Sequence, residues 1–476
     1  MVYDSVRKTA ERWDMTERRV TALCRSGRIP GSVKDGKSWK IPGDASAPRD
    51  GRSERSSMNA AQSAPAGSSG IVSKTTVTAY TESGAGAHAA ERFREVYRKA
   101  PEHMAFTPYR ICPVGAHSDH QLGKITGFAI DKGIHIAYGP KLNGVIEIAS
   151  LQFPKRAQWH VASVPPEKQN DWADHLRGAT ISLNARYPLR TGLCAIIDGE
   201  LPIGGLSSSA AVIITFLSAL GKLNNIYLTP KELIEISKEA ENQYVGVSCG
   251  KLDQSCEVYC RKDSLLYLDT RDDKYELIPQ SPDMKPYEIA IFFSGLERSL
   301  ASSKFNMRVD EARSAAYCLK ALSGMDYGKF EDTSLRDVPY KVYLKYKDRL
   351  PENFAKRAEH WYTEFFRVEA AAEAWRRGDI EEFGRLSFES GRSSIEKWET
   401  GSPELIKLYE IMTQTEGIYG GRFSGAGFKG CCMALIDPAY EAEILESVEK
   451  EYLAAFPDMK GRYSAHICHT ENGVKL

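Results

Sequence analysis

The chain has 476 residues, room for two or three domains and a substantial core. Its 42% hydrophobic and 26% charged residues are those of a soluble globular protein, and 63 Lys/Arg against 63 Asp/Glu point to no class of partner. No apolar run approaches the roughly 18 residues of a membrane span, and the amino end lacks the apolar core of a signal peptide. The ten cysteines are scattered, without zinc-site spacing, so a cytoplasmic protein with reduced thiols is expected.

The first zone, residues 1–42, is basic, with ten Lys/Arg against five Asp/Glu. Val6, Ala10 and Trp13 share one helical face. Thr16 can cap a second helix running to Ser26, with Val20 and Leu23 inward. Gly27 stops that helix, and Gly31 to Pro42, with Asp35-Gly36 at the tip, reads as a hairpin. Two short helices and a hairpin predict a small winged helix-turn-helix. Its segments Arg25-Ser26-Gly27-Arg28-Ile29-Pro30-Gly31 and Trp39-Lys40-Ile41-Pro42 resemble excisionase-like and MerR-like modules. That resemblance implies a DNA partner, met by Arg18, Arg19, Arg25 and Arg28. A surplus of five charges is modest for DNA, so protein contacts are the alternative use. Residues 43–70 are Ala/Ser/Gly-rich and read as a flexible linker.

Four segments of the remaining chain carry chemistry. Tyr109 to His120 reads as a short strand running into a polar turn. Gly205-Leu206-Ser207-Ser208-Ser209-Ala210 opens an apolar run to about Leu220; its length and serine-rich start favour a helix whose N-terminus attracts anions. Thr229-Pro230-Lys231-Glu232 is a capping box, and its helix carries Glu241 near the end; Gly250-Lys251-Leu252-Asp253-Gln254 then starts another helix. Arg422 to Gly430 is a glycine-rich loop before the apolar run Cys431 to Ile436. Either Gly/Ser loop alone could be an ordinary turn or a phosphate cradle.

Together these segments resemble the GHMP small-molecule kinases, and within them the galactokinase branch. Arg110 to Asp119 resembles that branch's sugar signature, Gly205 to Ala210 its ATP motif, and Cys249-Gly250-Lys251-Leu252-Asp253-Gln254 its catalytic-aspartate segment. Arg298 to Ser303 and Ser402-Pro403-Glu404-Leu405 resemble galactokinase-type segments. Pro108 to Pro113, Lys356-Arg357-Ala358-Glu359-His360 and Phe423 to Cys432 resemble the galacturonokinases. The likeness runs from about Thr76 to the C-terminus. It implies a mixed α/β chain, the α+β two-domain GHMP kinase fold, with domains at 71–285 and 286–476 and the active site between them.

The resemblance implies phosphoryl transfer from ATP, with Mg²⁺, to the anomeric hydroxyl of a hexose or hexuronate. Asp253 would be the base, and Arg110 would hold it ionised and stabilise developing charge. Gly204, Gly205, Leu206, Ser207, Ser208, Ser209 and Ala210 would bind ATP. Glu241 and Ser209 would hold the metal. Ala116, His117, Asp119, Phe305, Gly425 and Lys429 would face the sugar. Ala116 stands where galactokinases usually have a glutamate at the sugar's C6 hydroxyl, and alanine removes a clash with a C6 carboxylate. Lys429 replaces a usual glycine and could supply a counter-charge. Phe305 replaces a sugar-contacting tyrosine, and Leu201-Pro202-Ile203-Gly204 departs from the usual Pro-x-Gly-Ser. The lost hydroxyl at 305 counts against galactose without favouring galacturonate; Ala116 and Lys429 make D-galacturonate the expected substrate, with D-galactose the alternative. A sugar-sensing DNA-binding regulator is the alternative of another class.

Overall fold

The computed structural model describes residues 3–45 apart from 14, 18–19, 22–23, 25–28, 30, 37 and 44, and then residues 84–296 and 301–475, with side chains from 304 onward in that last stretch. The chain divides into two compact units, Met1–Lys74 and Thr75–Leu476.

In the small unit, β1 (Tyr3–Ser5) leads directly into α1 (Val6–Arg12), where Ser5 accepts a hydrogen bond from Lys8 N. The expected hairpin forms as β2 (Val33–Asp35) and β3 (Ser38–Pro42). The unexpected β1 pairs with β3 from Tyr3↔Pro42 to Ser5↔Lys40, making a three-stranded sheet. Three residues are too few to show a strand period, so β1 left no sequence signal. Glu17, Val20, Thr21 and Cys24 are helical, and Val20 joins Ala10, Cys24, Ile29 and Ile41 in a small core. Leu23, the DNA-facing candidates Arg18, Arg19, Arg25 and Arg28, and the 46–70 part of the linker lie outside the described residues.

The large unit opens with α2 (Ala85–Tyr97), followed by β4 (His103–Ile111), β5 (Lys124–Lys141), β6 (Val145–Ser150) and β7 (Ala157–His160). Next come α3 (Asp174–Asn184), β8 (Gly192–Gly199), α4 (Ser208–Leu223), α5 (Pro230–Glu239), α6 (Leu252–Tyr259), β9 (Ser264–Asp269) and β10 (Lys274–Pro279). The rest comprises β11 (Glu288–Phe293), α7 (Ala301–Ser323), α8 (Tyr340–Tyr346), α9 (Glu352–Arg376), α10 (Ile380–Glu396), α11 (Pro403–Gln414), β12 (Ile418–Phe423), β13 (Cys431–Ile436), α12 (Glu441–Ala455), β14 (Ser464–Cys468) and β15 (Thr470–Glu471).

One sheet runs β10-β9-β5-β8-β6-β7, with β4 and β15 also on β5; the other runs β12-β13-β11-β14. β15 thus returns the chain's end to the first sheet, pairing Thr470↔Ile130 and Glu471↔Ala129. A single hydrophobic cluster joins both regions, from Tyr109 and Ile214 to Trp375, Phe383 and Met433. α4 is buried along most of its length because its sequence is apolar almost all round. α5 carries the expected capping box, Thr229 and Glu232 satisfying one another's backbone N–H groups. Among the described residues no helix is long and apolar enough to cross a membrane.

Candidate active site

The start of α4 and the loop before β13 meet backbone to backbone. A Cβ on Gly425 would lie 2.9 Å from Gly205 Cα, and one on Gly204 would lie 3.0 Å from Gly430 Cα. Gly205 and Gly425 also have φ of +89° and +71°, so only glycine suits both positions. Ser207 takes the left-handed region at φ 59° and offers no side-chain cap to α4; its Oγ is buried without a partner. The first N–H groups of α4 are therefore left uncapped, an arrangement made for an anion.

Arg110, near the end of β4, ties this floor to α6. Its Nε and Nη2 lie 2.8 and 2.7 Å from Asp253 Oδ1, while Nη1 donates to Gly205 O at 3.0 Å and Ser424 Oγ at 3.3 Å. Arg110 is 2% exposed, whereas the Asp253 side chain keeps 28% of its surface. Both guanidinium contacts fall on one oxygen, so Asp253 Oδ2 has no partner among the described residues. Asp119 accepts from Leu252 N at 3.0 Å and so caps α6 from across the fold. A Cβ on Gly250 would overlap that carboxylate. Burial, reinforced by the charge of Asp253, pushes the Asp119 carboxyl above its usual range.

Glu241 lies on a π-helical stretch, Ala240–Val245, that follows α5. It is 4% exposed and accepts from Gln254 Nε2 at 2.7 Å. Burial and then the Asp253 charge push its carboxyl up to about 7, against a hydrogen bond from Ser209. A carboxylate beside a hydroxyl is the hard oxygen pair that Mg²⁺ accepts together with phosphate oxygens, so this donor set fits the ion. Glu257, one turn beyond Asp253, is wholly buried with both oxygens unpartnered. Burial, reinforced by the charge of Asp253, pushes its carboxyl well above the usual carboxylate range.

Arg110, Glu241 and Asp253 line a cavity of about 400 Å³ together with Ala116, His117, Asp119, Cys249, Phe305, Gly425 and Lys429. His117 is left-handed at φ 62° and stacks on Trp398, ring centroids 5.4 Å apart and planes at 12°. Burial pushes His117 well below the usual histidine range and takes His120 down to about 3, so both are neutral near pH 7. A smaller apolar cavity of about 180 Å³ shares His175, Ile203, Ser208 and Ser209 with the first. Its walls include Phe153 and Trp172, whose rings are parallel to within 2°.

The fold thus brings to one cavity Arg110, Asp253, Glu241, Gly204, Gly205, Ser207, Ser208, Ser209 and all six expected sugar-facing residues. Leu206 and Ala210 instead turn into the core, 1% and 0% exposed. An apolar side chain there anchors the loop and leaves phosphate contact to its neighbours' N–H groups. Phe153, Trp172 and His175 were not expected. They precede or open α3 in a stretch without periodicity, where only the indole at 172 hinted at a wall.

Residues 174–261 match the GHMP kinases N terminal domain, and residues 370–454 match the GHMP kinases C terminal. A galacturonokinase of Arabidopsis thaliana is 38% identical over 404 residues, covering 79% of this chain and 94% of that protein. A galactokinase of Roseiflexus sp. (strain RS-1) is 30% identical over 387 residues, covering 81% and 95%. Lactococcus lactis galactokinase, solved with galactose, superposes with a TM-score of 0.73 at 27% identity, covering 81% of this chain and 98% of that one.

Proposed function

On the footing that the chain belongs to the GHMP kinase family, as a sugar kinase of the galactokinase and galacturonokinase type, we propose that it transfers the γ-phosphoryl group of ATP to the anomeric hydroxyl of D-galacturonate. The observation that carries this reading is the uncapped start of α4 facing Asp253, with Arg110 bonded to the loop and the aspartate at once.

Asp253 Oδ2 takes the proton of the C1 hydroxyl as that oxygen bonds to the γ-phosphorus. The bond from phosphorus to the bridging oxygen breaks, and ADP leaves with that electron pair. Arg110 holds the carboxylate by its other oxygen and brings positive charge toward the transferring group. The N–H groups at Ser207 to Ser209 meet the phosphates. Glu241 and Ser209 would hold Mg²⁺, which neutralises phosphate charge when bound. The apolar wall of Phe153 and Trp172 suits the flat face of the base.

Two side chains support a hexuronate. Ala116, 7% exposed on the cavity wall, puts a methyl group where a carboxylate would repel a carboxylate. Lys429 brings a cationic side chain to the same cavity. The test is ³¹P NMR of the purified protein with ATP, Mg²⁺ and galacturonate. A new anomeric monoester signal equal in amount to ADP is expected. ADP formation without an anomeric phosphate, or a signal with galactose and none with galacturonate, would overturn the assignment.

A further inference from the structure

The loop that carries Ala116, His117 and Asp119 is held partly from within, Ser118 Oγ donating to Gly115 O at 2.8 Å and Ser118 O accepting from Gln121 N and Gly123 N at 3.0 Å. His117 occupies the left-handed region, which side chains rarely adopt, with no glycine to make it easy. Three of the peptide groups around it are also tied to one helix. Glu364 accepts from Gly115 N at 2.7 Å, His360 Nε2 lies 3.1 Å from Ala116 O, and Trp361 Nε1 donates to Ser118 O at 3.2 Å. All three side chains come from little more than one turn of α9, are 3% exposed or less, and lie some 240 positions from the loop in the chain.

We propose that His360, Trp361 and Glu364 are positioning residues for sugar recognition: this turn of α9 is a template that fixes the backbone at 115–118 and so aims His117 and Ala116 at the sugar. A carbonyl oxygen only accepts, so the proton on His360 sits on Nε2, and Nδ1 accepts from the Ser393 hydroxyl at 2.8 Å. Burial pushes this imidazole down to about 4, which keeps that neutral tautomer at working pH. Glu364 is held in turn by Arg367, Ser390 and Arg422, all from the same half of the chain. Arg357 in the Lys356–His360 segment fastens α9 to Glu399 and Glu311, beside Trp398, on which His117 stacks. The galacturonokinase-like segment therefore sits behind the sugar loop, where it orients groups without touching substrate.

The inference rests on the reading of residues 116–119 as the sugar contacts. Steady-state kinetics of the full chain on galacturonate and galactose would compare His360→Leu, His360→Gln and Trp361→Phe with the parent. Losing one buried hydrogen bond that aims the loop is expected to raise the sugar KM about tenfold, with the ATP KM unchanged and kcat within about twofold. His360→Gln, whose amide can still donate to Ala116 O, should recover most of the loss. Trp361→Phe keeps an aromatic ring while losing the donor together with the five-membered ring of the indole, so it is a second, independent report where His360→Leu folds poorly. A sugar KM equal to the parent's in both Leu and Phe variants would overturn the inference, as would an ATP KM rising in parallel. A parent enzyme that phosphorylates neither sugar would instead overturn the functional reading beneath it.

Discussion

Lowering the pH from about 8 to about 6 should weaken the enzyme's hold on Mg²⁺ through one residue. Glu241 is buried beside Asp253, and its carboxyl is pushed up to about 7. A carboxyl raised in this way is ionised above that value and protonated below it, so its oxygens become unavailable to a cation as pH falls. A group at about 7 is ionised to roughly 0.91 at pH 8 and 0.09 at pH 6, which makes the Mg²⁺ concentration for half-maximal rate about tenfold higher at the lower pH. Initial rates would be measured against free Mg²⁺ at saturating ATP and sugar, at each pH. ATP also titrates in this range, so Glu241→Gln, measured in parallel, supplies the correction for the nucleotide. The ratio of parent to variant should carry the change of about tenfold. A ratio that stays flat between the two pH values would refute the placement of Glu241 at the metal.

Asp253→Asn keeps the size of the base but cannot take a proton, so kcat should fall about a thousandfold in a coupled ADP assay; a fall under about tenfold would remove Asp253 from proton transfer. Ala116→Glu sets a carboxylate near the C6 position, where two charges about 5 Å apart at an effective dielectric of about 20 repel by ~3 kcal/mol. The ratio of kcat/KM for galacturonate over galactose should therefore drop on the order of a hundredfold, and an unchanged ratio would separate residue 116 from C6. Trp172→Ala removes an apolar wall from the smaller cavity and should raise the ATP KM about tenfold while leaving the sugar KM alone. The opposite pattern would move the base elsewhere.

The residues that gather at the cavity lie in short runs. Gly205 to Ser209, Glu241 and Asp253 were named because such runs resemble a family's motifs. The fold brings Gly205, Ser207 to Ser209, Glu241 and Asp253 together, while α5 announced itself through its capping box. What the runs could not carry was the packing between them. The contact of Gly205 with Gly425 and the capping of α6 by Asp119 join segments more than 100 residues apart, and no local period encodes such pairs. His360 and Glu364 are buried polar residues on the same helix as Ala358, Trp361 and Val368. Read alone, α9 is an amphipathic helix; a histidine and a glutamate interrupting its apolar face were the signal that it held something. β1 and β15, with three and two residues, are strands only because β3 and β5 offer them an edge.

The most direct test of the account is the specificity ratio of the unmodified chain, kcat/KM for galacturonate over that for galactose, at fixed saturating MgATP. With alanine at 116 and lysine at 429 lining the cavity proposed to take the sugar, the ratio should exceed about ten, one charge contact being worth roughly tenfold or more. A ratio below one would contradict the assignment, leaving a galactose kinase with an altered C6 pocket.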